Sequence, residues 1–107
     1  MGRATTEKVI LELKKIKKSL GKEYKIERMF LFGSRARGDE LLSSDVDLIV
    51  VSSDFEKIPF RQRPSKFLEA WTFSVDLEVL CYSPQELKRK QKEIGLVQEA
   101  LKQAVEI

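Results

Sequence analysis

The amino-acid sequence predicts an α/β fold, in which a small mixed β-sheet carries helices packed mainly on one face. Three apolar runs with strand character, at 26–32, 45–51 and 73–80, are separated or flanked by segments whose apolar residues recur at helical spacing. The stretch 29–32 is apolar on both faces, which is typical of a strand buried on both sides. With 107 residues, the chain is expected to form a single domain spanning 1–107.

Two long helices bracket these strands. The first begins at Thr5 or Thr6, either of which can accept a hydrogen bond as the N-cap, and it ends at Gly21. The second begins at Ser83, where Ser-Pro-Gln-Glu combines a capping box with proline at the first helical position. It is expected to run to near the C-terminus, weakened locally by Gly95.

The composition excludes several classes of function. There is no histidine, which excludes Ser-His-Asp and Cys-His catalysis and histidine-ligated metal sites. The single cysteine, Cys81, cannot form an intrachain disulfide and fits a reducing cytoplasm, where we expect the protein to reside. No apolar run approaches the roughly 18 residues of a membrane span, and no signal peptide is visible.

Three carboxylates are the candidate metal ligands. Asp45 and Asp47 open the second strand and point the same way, because strand side chains alternate between faces. Two carboxylates on one face repel each other unless a hard cation such as Mg²⁺ or Mn²⁺ lies between them. Asp76 interrupts the apolar third strand, where an isolated carboxylate is costly to bury. Glu78 shares its face, so the third ligand could be either residue.

A glycine-serine turn between the first two strands is the candidate phosphate site. Gly33 allows the backbone to pass close to a ligand, and the amides and hydroxyl that begin at Ser34 can cradle a phosphate. Arg35 and Arg37 add positive charge; each could reach phosphate or could be an ordinary surface charge. The turn is not a P-loop in its usual form, because no Gly-Lys-Ser/Thr follows the glycines.

These two motifs resemble a known superfamily. Gly-Ser-Arg-Ala-Arg-Gly at 33–38, followed by Ser-Asp-Val-Asp-Leu at 44–48 and a later strand aspartate, is similar to the nucleotidyltransferase superfamily that includes DNA polymerase beta. The resemblance is closest to the minimal nucleotidyltransferases, which are often paired with HEPN-domain proteins, and it covers about 26–80. It implies the polymerase beta-like nucleotidyltransferase fold.

The resemblance also implies a chemistry. Asp45, Asp47 and Asp76 would bind Mg²⁺, with two ions expected and Mn²⁺ as an alternative, and Asp76 would help to deprotonate the attacking hydroxyl. Gly33 and Ser34, with Arg35 and Arg37 beside them, would bind the nucleotide. The enzyme would move AMP from ATP onto a hydroxyl of an acceptor, expected to be a HEPN-type partner protein. This is the activity of a protein adenylyltransferase within a toxin–antitoxin system.

Two other functions stay open. The chain could be an antitoxin-like binding module that neutralises a HEPN ribonuclease by complex formation, with little or no catalysis. Nucleic-acid binding through the lysine-rich first helix is disfavoured by the net charge of +3 and by the lack of interleaved aromatic residues. A homodimer is also compatible with the sequence. Two apolar segments are either core or partner surfaces: the aromatic-rich stretch 55–71, and a stripe on the last helix formed by Leu87, Ile94, Val97 and Leu101.

Overall fold

The computed structural model describes residues 5–37 and 45–107, with only the backbone described for Ser34, Arg37 and Leu96. Within these ranges the chain forms a four-stranded sheet in the order β3-β2-β1-β4. Strand β1 runs antiparallel to both β2 and β4, whereas β2 and β3 are parallel, so the sheet is mixed. The strands are β1 (Ile26–Phe32), β2 (Val46–Ser52), β3 (Leu77–Tyr82) and β4 (Val105–Glu106).

Helices connect and flank the strands. Thr5 caps the first helix by accepting a hydrogen bond from the Lys8 amide at 3.3 Å, and Gly21 ends it, as predicted. Two 3₁₀ turns, Ser53–Lys57 and Phe60–Gln62, lie between β2 and the third helix. The α-helices are α1 (Thr6–Leu20), α2 (Ser34–Arg37), α3 (Ser65–Ala70), α4 (Pro84–Lys92) and α5 (Leu96–Gln103).

The third strand begins later than predicted. The sequence indicated a strand over 73–80, but β3 starts at Leu77, which pairs with Val46 at the start of β2. The residues before Leu77 have no β2 neighbour to pair with, so they cannot extend the ladder. Asp76 therefore precedes β3 rather than lying inside it, and its carbonyl accepts a hydrogen bond from the Val46 amide at 2.9 Å.

The last helix is also interrupted, contrary to the prediction of one helix to near the C-terminus. Helix α4 begins with the predicted capping box between Ser83 and Glu86, but it stops at Lys92 and α5 begins at Leu96. The break separates the stripe of apolar residues: Leu87 and Val97 are buried, whereas Ile94 is 97% exposed. After α5 the chain returns as β4, which pairs with β1.

The two faces of the sheet carry separate cores. One face packs against α1 and α3 in a large cluster that includes Leu13, Leu48 and Phe67. The other face packs against α4 and α5 in a smaller cluster that includes Ile49, Leu87 and Val97. The predicted fold class is confirmed, and the helices divide between the two faces more evenly than expected because α4 and α5 return to the opposite side.

No helix within the described ranges is both long enough and apolar enough to cross a membrane.

Candidate active site

The strand register brings two carboxylates side by side. Asp47 on β2 lies opposite Glu78 on β3 and opposite Phe32 on β1. Paired residues on neighbouring strands project from the same face of the sheet, so the Asp47 and Glu78 side chains meet. Phe32, the β1 partner of Asp47, and Ile49, two positions after Asp47 on β2, belong to the core against α4 and α5. The face that Asp47 and Glu78 share is therefore the one covered by α4 and α5.

The other two carboxylates flank this pair. Asp45 directly precedes β2, and its charge acts on Asp47. Asp76 directly precedes β3 and is tied by its carbonyl to the start of β2. The structure therefore brings Asp45, Asp47 and Glu78 into electrostatic contact and places Asp76 beside the beginning of β2. The roles that the sequence assigned to Asp45, Asp47 and Asp76 stay predictions.

The environment of Asp47 disfavours its charged form. Burial raises the pKa of Asp47 to about 6, and a hydrogen bond with Glu78 and the negative charges of Glu78 and Asp45 act in the same direction. A cation between the two groups would oppose this rise in pKa, since it would stabilise both carboxylates in their charged forms.

Gly33 lies directly against Asp47. Its φ angle is +79°, a backbone conformation that strongly favours glycine. A Cβ atom at this position would lie 2.5 Å from Asp47 Oδ2, which is far closer than van der Waals contact allows. The backbone therefore passes beside the carboxylate only because residue 33 lacks a side chain, and the bend into α2 begins next to Asp47.

The remaining predicted nucleotide-binding residues lie in α2. Arg35 is buried, with 2% of its surface exposed, and its role in nucleotide binding stays a prediction. The side chains of Ser34 and Arg37 lie outside the described part of the structure. Burial of Arg35 depends on long-range packing, which the local sequence does not indicate.

A cavity of about 750 Å³ opens beside Asp47, Glu78 and Gly33. Its volume is within the range that holds a nucleotide-sized ligand. We call it the carboxylate cavity. Sequence reasoning missed its far wall, because the predicted single helix gave no indication that the chain would break and fold back against the sheet as α5. That wall is formed by Glu99, Ala100 and Gln103 of α5, and the side wall by Pro64 and Leu68.

The chemistry of the Asp47–Glu78 pair suits a hard divalent cation. Carboxylate oxygens are the ligands such a cation prefers, and the mutual repulsion at Asp47 and Glu78 is the electrostatic situation that a cation relieves. Asp47 would hold it together with Asp45 and either Asp76 or Glu78. Within residues 5–37 and 45–107, no three histidine, cysteine, aspartate or glutamate side chains are close enough together to form a ligand set.

Comparison with known proteins identifies the family. The profile of the nucleotidyltransferase domain matches residues 13–107. No curated protein matches the chain. A 1.40 Å crystal structure from Sulfolobus solfataricus, of a protein described as a "putative nucleotidyltransferase", aligns with a TM-score of 0.67 at 23% sequence identity. The alignment covers 99% of this chain and 87% of that one, and it shows that the two share a fold. The family match extends over most of the sequence and includes every residue of the site, so the chain belongs to the nucleotidyltransferase domain family and is a transferase whose substrate is a nucleotide.

Proposed function

We propose that this protein transfers AMP from ATP onto a hydroxyl group of an acceptor protein. The observation that carries the proposal is the position of Asp47, which lies between the Gly33 bend and Glu78 at the wall of the carboxylate cavity. A carboxylate pair next to a glycine bend suits a metal-bound triphosphate. The choice of AMP and of a protein acceptor is supported by the resemblance to minimal nucleotidyltransferases.

The reaction is a single displacement at phosphorus. The acceptor oxygen forms a bond to the α-phosphorus of ATP, while the bond from that phosphorus to the oxygen leading to the β-phosphate breaks. Pyrophosphate leaves with the bonding electron pair, and the acceptor proton passes to a carboxylate oxygen of the site. Most of the catalysis then comes from positioning and charge, with no covalent intermediate on the protein.

Asp45, Asp47 and a third carboxylate would hold Mg²⁺. The bound ions supply charge stabilisation for the attacking and leaving oxygens of the displacement. Asp76 is the third ligand by resemblance, and Glu78 is its competitor because it lies directly opposite Asp47. Gly33 keeps the space beside Asp47 open for the triphosphate, and Ser34 would contact its terminal phosphates.

The acceptor is expected to be a HEPN-type protein encoded by a neighbouring gene. This expectation is supported by the resemblance, whose members often act as the antitoxin of such a pair. The direct test incubates the protein and the product of the neighbouring gene with Mg²⁺ and each of the four nucleoside triphosphates labelled at the α-phosphate. Label from ATP on the partner supports the proposal, and label from another nucleotide corrects its substrate.

A matched pair of variants makes this test specific. Asp47→Asn is expected to abolish labelling, because it removes a charge at the centre of the site. Glu56→Gln makes the same chemical change on an exposed residue of the first 3₁₀ turn and should label the partner as the wild type does. Labelling that survives Asp47→Asn would contradict the proposed site.

A second function is an antitoxin-like module that binds the HEPN partner without modifying it. The observation that favours it is the absence, among the described residues, of three metal-binding side chains at ligand distance. This function predicts a stable complex on gel filtration, suppression of the partner's ribonuclease activity, and no transfer of label. The Asp47→Asn variant would then neutralise the partner as well as the wild type does.

A further inference from the structure

A second cavity of about 710 Å³ lies along β3 next to the carboxylate cavity. We call it the α4 cavity. The two cavities share Leu80 as a lining residue, so they adjoin on the same face of the sheet. The α4 cavity is lined by Phe60, Tyr82, Arg89, Ile94 and Val97, among others. Nothing in the proposed phosphoryl displacement uses these residues.

The apolar walls of this cavity are unusually exposed. Ile94 is 97% exposed and Phe60 is 49% exposed. Among the described residues, the two apolar segments that are either core or partner surface leave three large side chains exposed, Phe60, Leu68 and Ile94, whereas Leu87 and Phe55 are buried. Phe60 and Ile94 line the α4 cavity and Leu68 lines the carboxylate cavity, so the α4 cavity has two of the three exposed apolar side chains available to a partner.

One wall is held in place before any ligand arrives. Arg63 is 5% exposed and donates hydrogen bonds to the carbonyls of Ile58, at 2.8 Å, and Cys81, at 3.0 Å. Its guanidinium carbon lies 5.5 Å from the centre of the Phe60 ring, and the ring in turn packs against Tyr82 at 5.7 Å. Because the Phe60 turn is fixed to β3, a ligand that packs on it pays little for ordering the wall.

The charge of the cavity is set by α4. Residues 86, 89, 90 and 93 line it, as expected for one face of a helix. Glu86 is paired with Arg63 at 2.6 Å, and Glu93 with Lys90 at 3.6 Å. Arg89 is exposed and has no acidic partner in the described part of the chain. The lining therefore presents one uncompensated positive charge beside an apolar surface.

We propose that the α4 cavity is the docking site for the acceptor polypeptide. A segment of the acceptor packs an apolar side chain against Phe60 and Ile94 and places an acidic side chain opposite Arg89. The span from Tyr82 to Glu78 is four residues of strand, about 13 Å. A hydroxyl three to four residues from the anchored side chain of an extended segment thus reaches the carboxylates. This inference rests on the proposed function.

The lining favours a polypeptide over a nucleic-acid strand. A strand of nucleic acid needs a row of cations that follows its phosphates and aromatic faces for successive bases. The α4 cavity offers one unpaired cation, one exposed aromatic ring and an exposed aliphatic side chain. This combination suits an apolar anchor with an acidic neighbour.

Fluorescence anisotropy with two labelled peptides tests the inference. Both peptides have about ten residues with a central leucine and a tyrosine three residues away; glutamates flank the leucine in one and lysines in the other. The acidic peptide is expected to bind the wild-type protein. Arg89→Glu should weaken its binding by about tenfold or more and should favour the lysine peptide instead. Lys88→Glu makes the same charge change on α4 but off the lining, and should alter binding by less than about twofold.

A second matched pair of variants tests the apolar contacts of the proposed docking site. Ile94→Asp should weaken the acidic peptide, whereas Leu11→Asp, at a 59% exposed position of α1, should not. Both positions are too exposed for the substitution to unfold the protein, and circular dichroism of each variant is the check.

Four outcomes would overturn the docking site. The first is that the acidic peptide does not bind. The second and third are that substitutions at Arg89 and Lys88, or at Ile94 and Leu11, change the affinity for this peptide equally. The fourth is that a single-stranded oligonucleotide displaces the peptide at a lower concentration than unlabelled peptide does. Calorimetric titration of the wild type with ATP and Mg²⁺ tests the proposed function separately. Failure to bind ATP removes that function, whereas ATP binding with no peptide binding removes only the docking site.

Discussion

The two faces of the sheet are built from the same strands and have opposite uses. On β2, Val46, Leu48 and Val50 point into the large core against α1 and α3, and all three are fully buried. On the other face, Ile49 and Val51 are core residues, but Asp47 begins the row. Along β2 the first face is closed, and the second is core at one end and cavity at the other. A domain of this size can therefore keep one face for stability and use half of the other for chemistry.

This comparison predicts that truncating a buried leucine lowers the free energy of unfolding more on the closed face than on the open one. Leu48→Ala should lower the free energy of unfolding by about 2–5 kcal/mol, because Leu48 is fully buried and its neighbours are held on all sides. Leu87→Ala, at a 6% exposed position of the thinner core, should cost less, because the surroundings can relax toward the α4 cavity. Urea unfolding of both variants measures the difference, and equal losses would show that the two cores are equally tight.

Substitution at the open end should separate activity from stability. Asp47→Asn is expected to remove at least about 3 kcal/mol of transition-state stabilisation, as other losses of a charged group in such sites do. It should not lower the free energy of unfolding, because the Asp47 carboxylate is repelled by Glu78 and Asp45. Single-turnover transfer rates and urea unfolding check the two halves of this expectation.

The same assay ranks the two candidates for the third carboxylate. If Asp76 is the ligand that the family resemblance implies, Asp76→Asn reduces the rate more than Glu78→Gln does. The opposite order would move the role to Glu78.

A smaller effect is expected at the glycine that separates the strand from the bend. Gly33→Ala should destabilise the protein by about 1–3 kcal/mol, since it combines a left-handed backbone with a contact to Asp47. It should also weaken Mg²⁺ binding, because the carboxylate must move. Gly95→Ala is the control: a Cβ atom there meets nothing within 4 Å. Thermal unfolding and Mg²⁺ titration of both variants make the measurement.

The smallest expected effect is on the pH dependence of stability. The pKa of Asp47 is raised from its ordinary 3.8 to about 6. Protonation of Asp47 therefore stabilises the folded state at low pH, and this contribution is lost as the pH rises through about 6. Without divalent cations, the free energy of unfolding should therefore be higher at pH 5 than at pH 7. The difference should be only about 1 kcal/mol, because solvent screens a partly exposed carboxylate.

The sequence contains no histidine, so no imidazole titrates in this interval to obscure the effect. Asp47→Asn should flatten the profile, and Glu56→Gln should leave it unchanged. A wild-type profile that is flat between pH 5 and 7, or that slopes the other way, would contradict the environment described for Asp47.

The features that follow from local periodicity were predictable from the sequence. Strand β1 has the predicted bounds. The Ser83 capping box formed as predicted because it needs only residues within four positions of each other. Alternation along the third strand put Glu78 on the same face as Asp76, which left Glu78 as an alternative ligand.

The features that depend on distant partners were not predictable. Strand β3 begins where β2 begins, so its first residue is set by pairing and not by its own apolar run. Strand β4 has two residues, too few for any pattern, and it forms because β1 offers an open edge. The break between α4 and α5 and the burial of Arg35 likewise come from tertiary packing. The walls of both cavities depend on that break, so the carboxylates were predictable from the sequence and the space around them was not.

Strand β2 is hydrogen-bonded on both sides, to β1 and to β3. The backbone amide hydrogen of Asp47 is therefore expected to exchange with solvent only when the sheet opens as a whole. Amide hydrogens of the segment between α4 and α5 are expected to exchange through local opening. The Asp47 carboxylate is thus expected to keep its position through the brief local fluctuations in which the neighbouring wall rearranges.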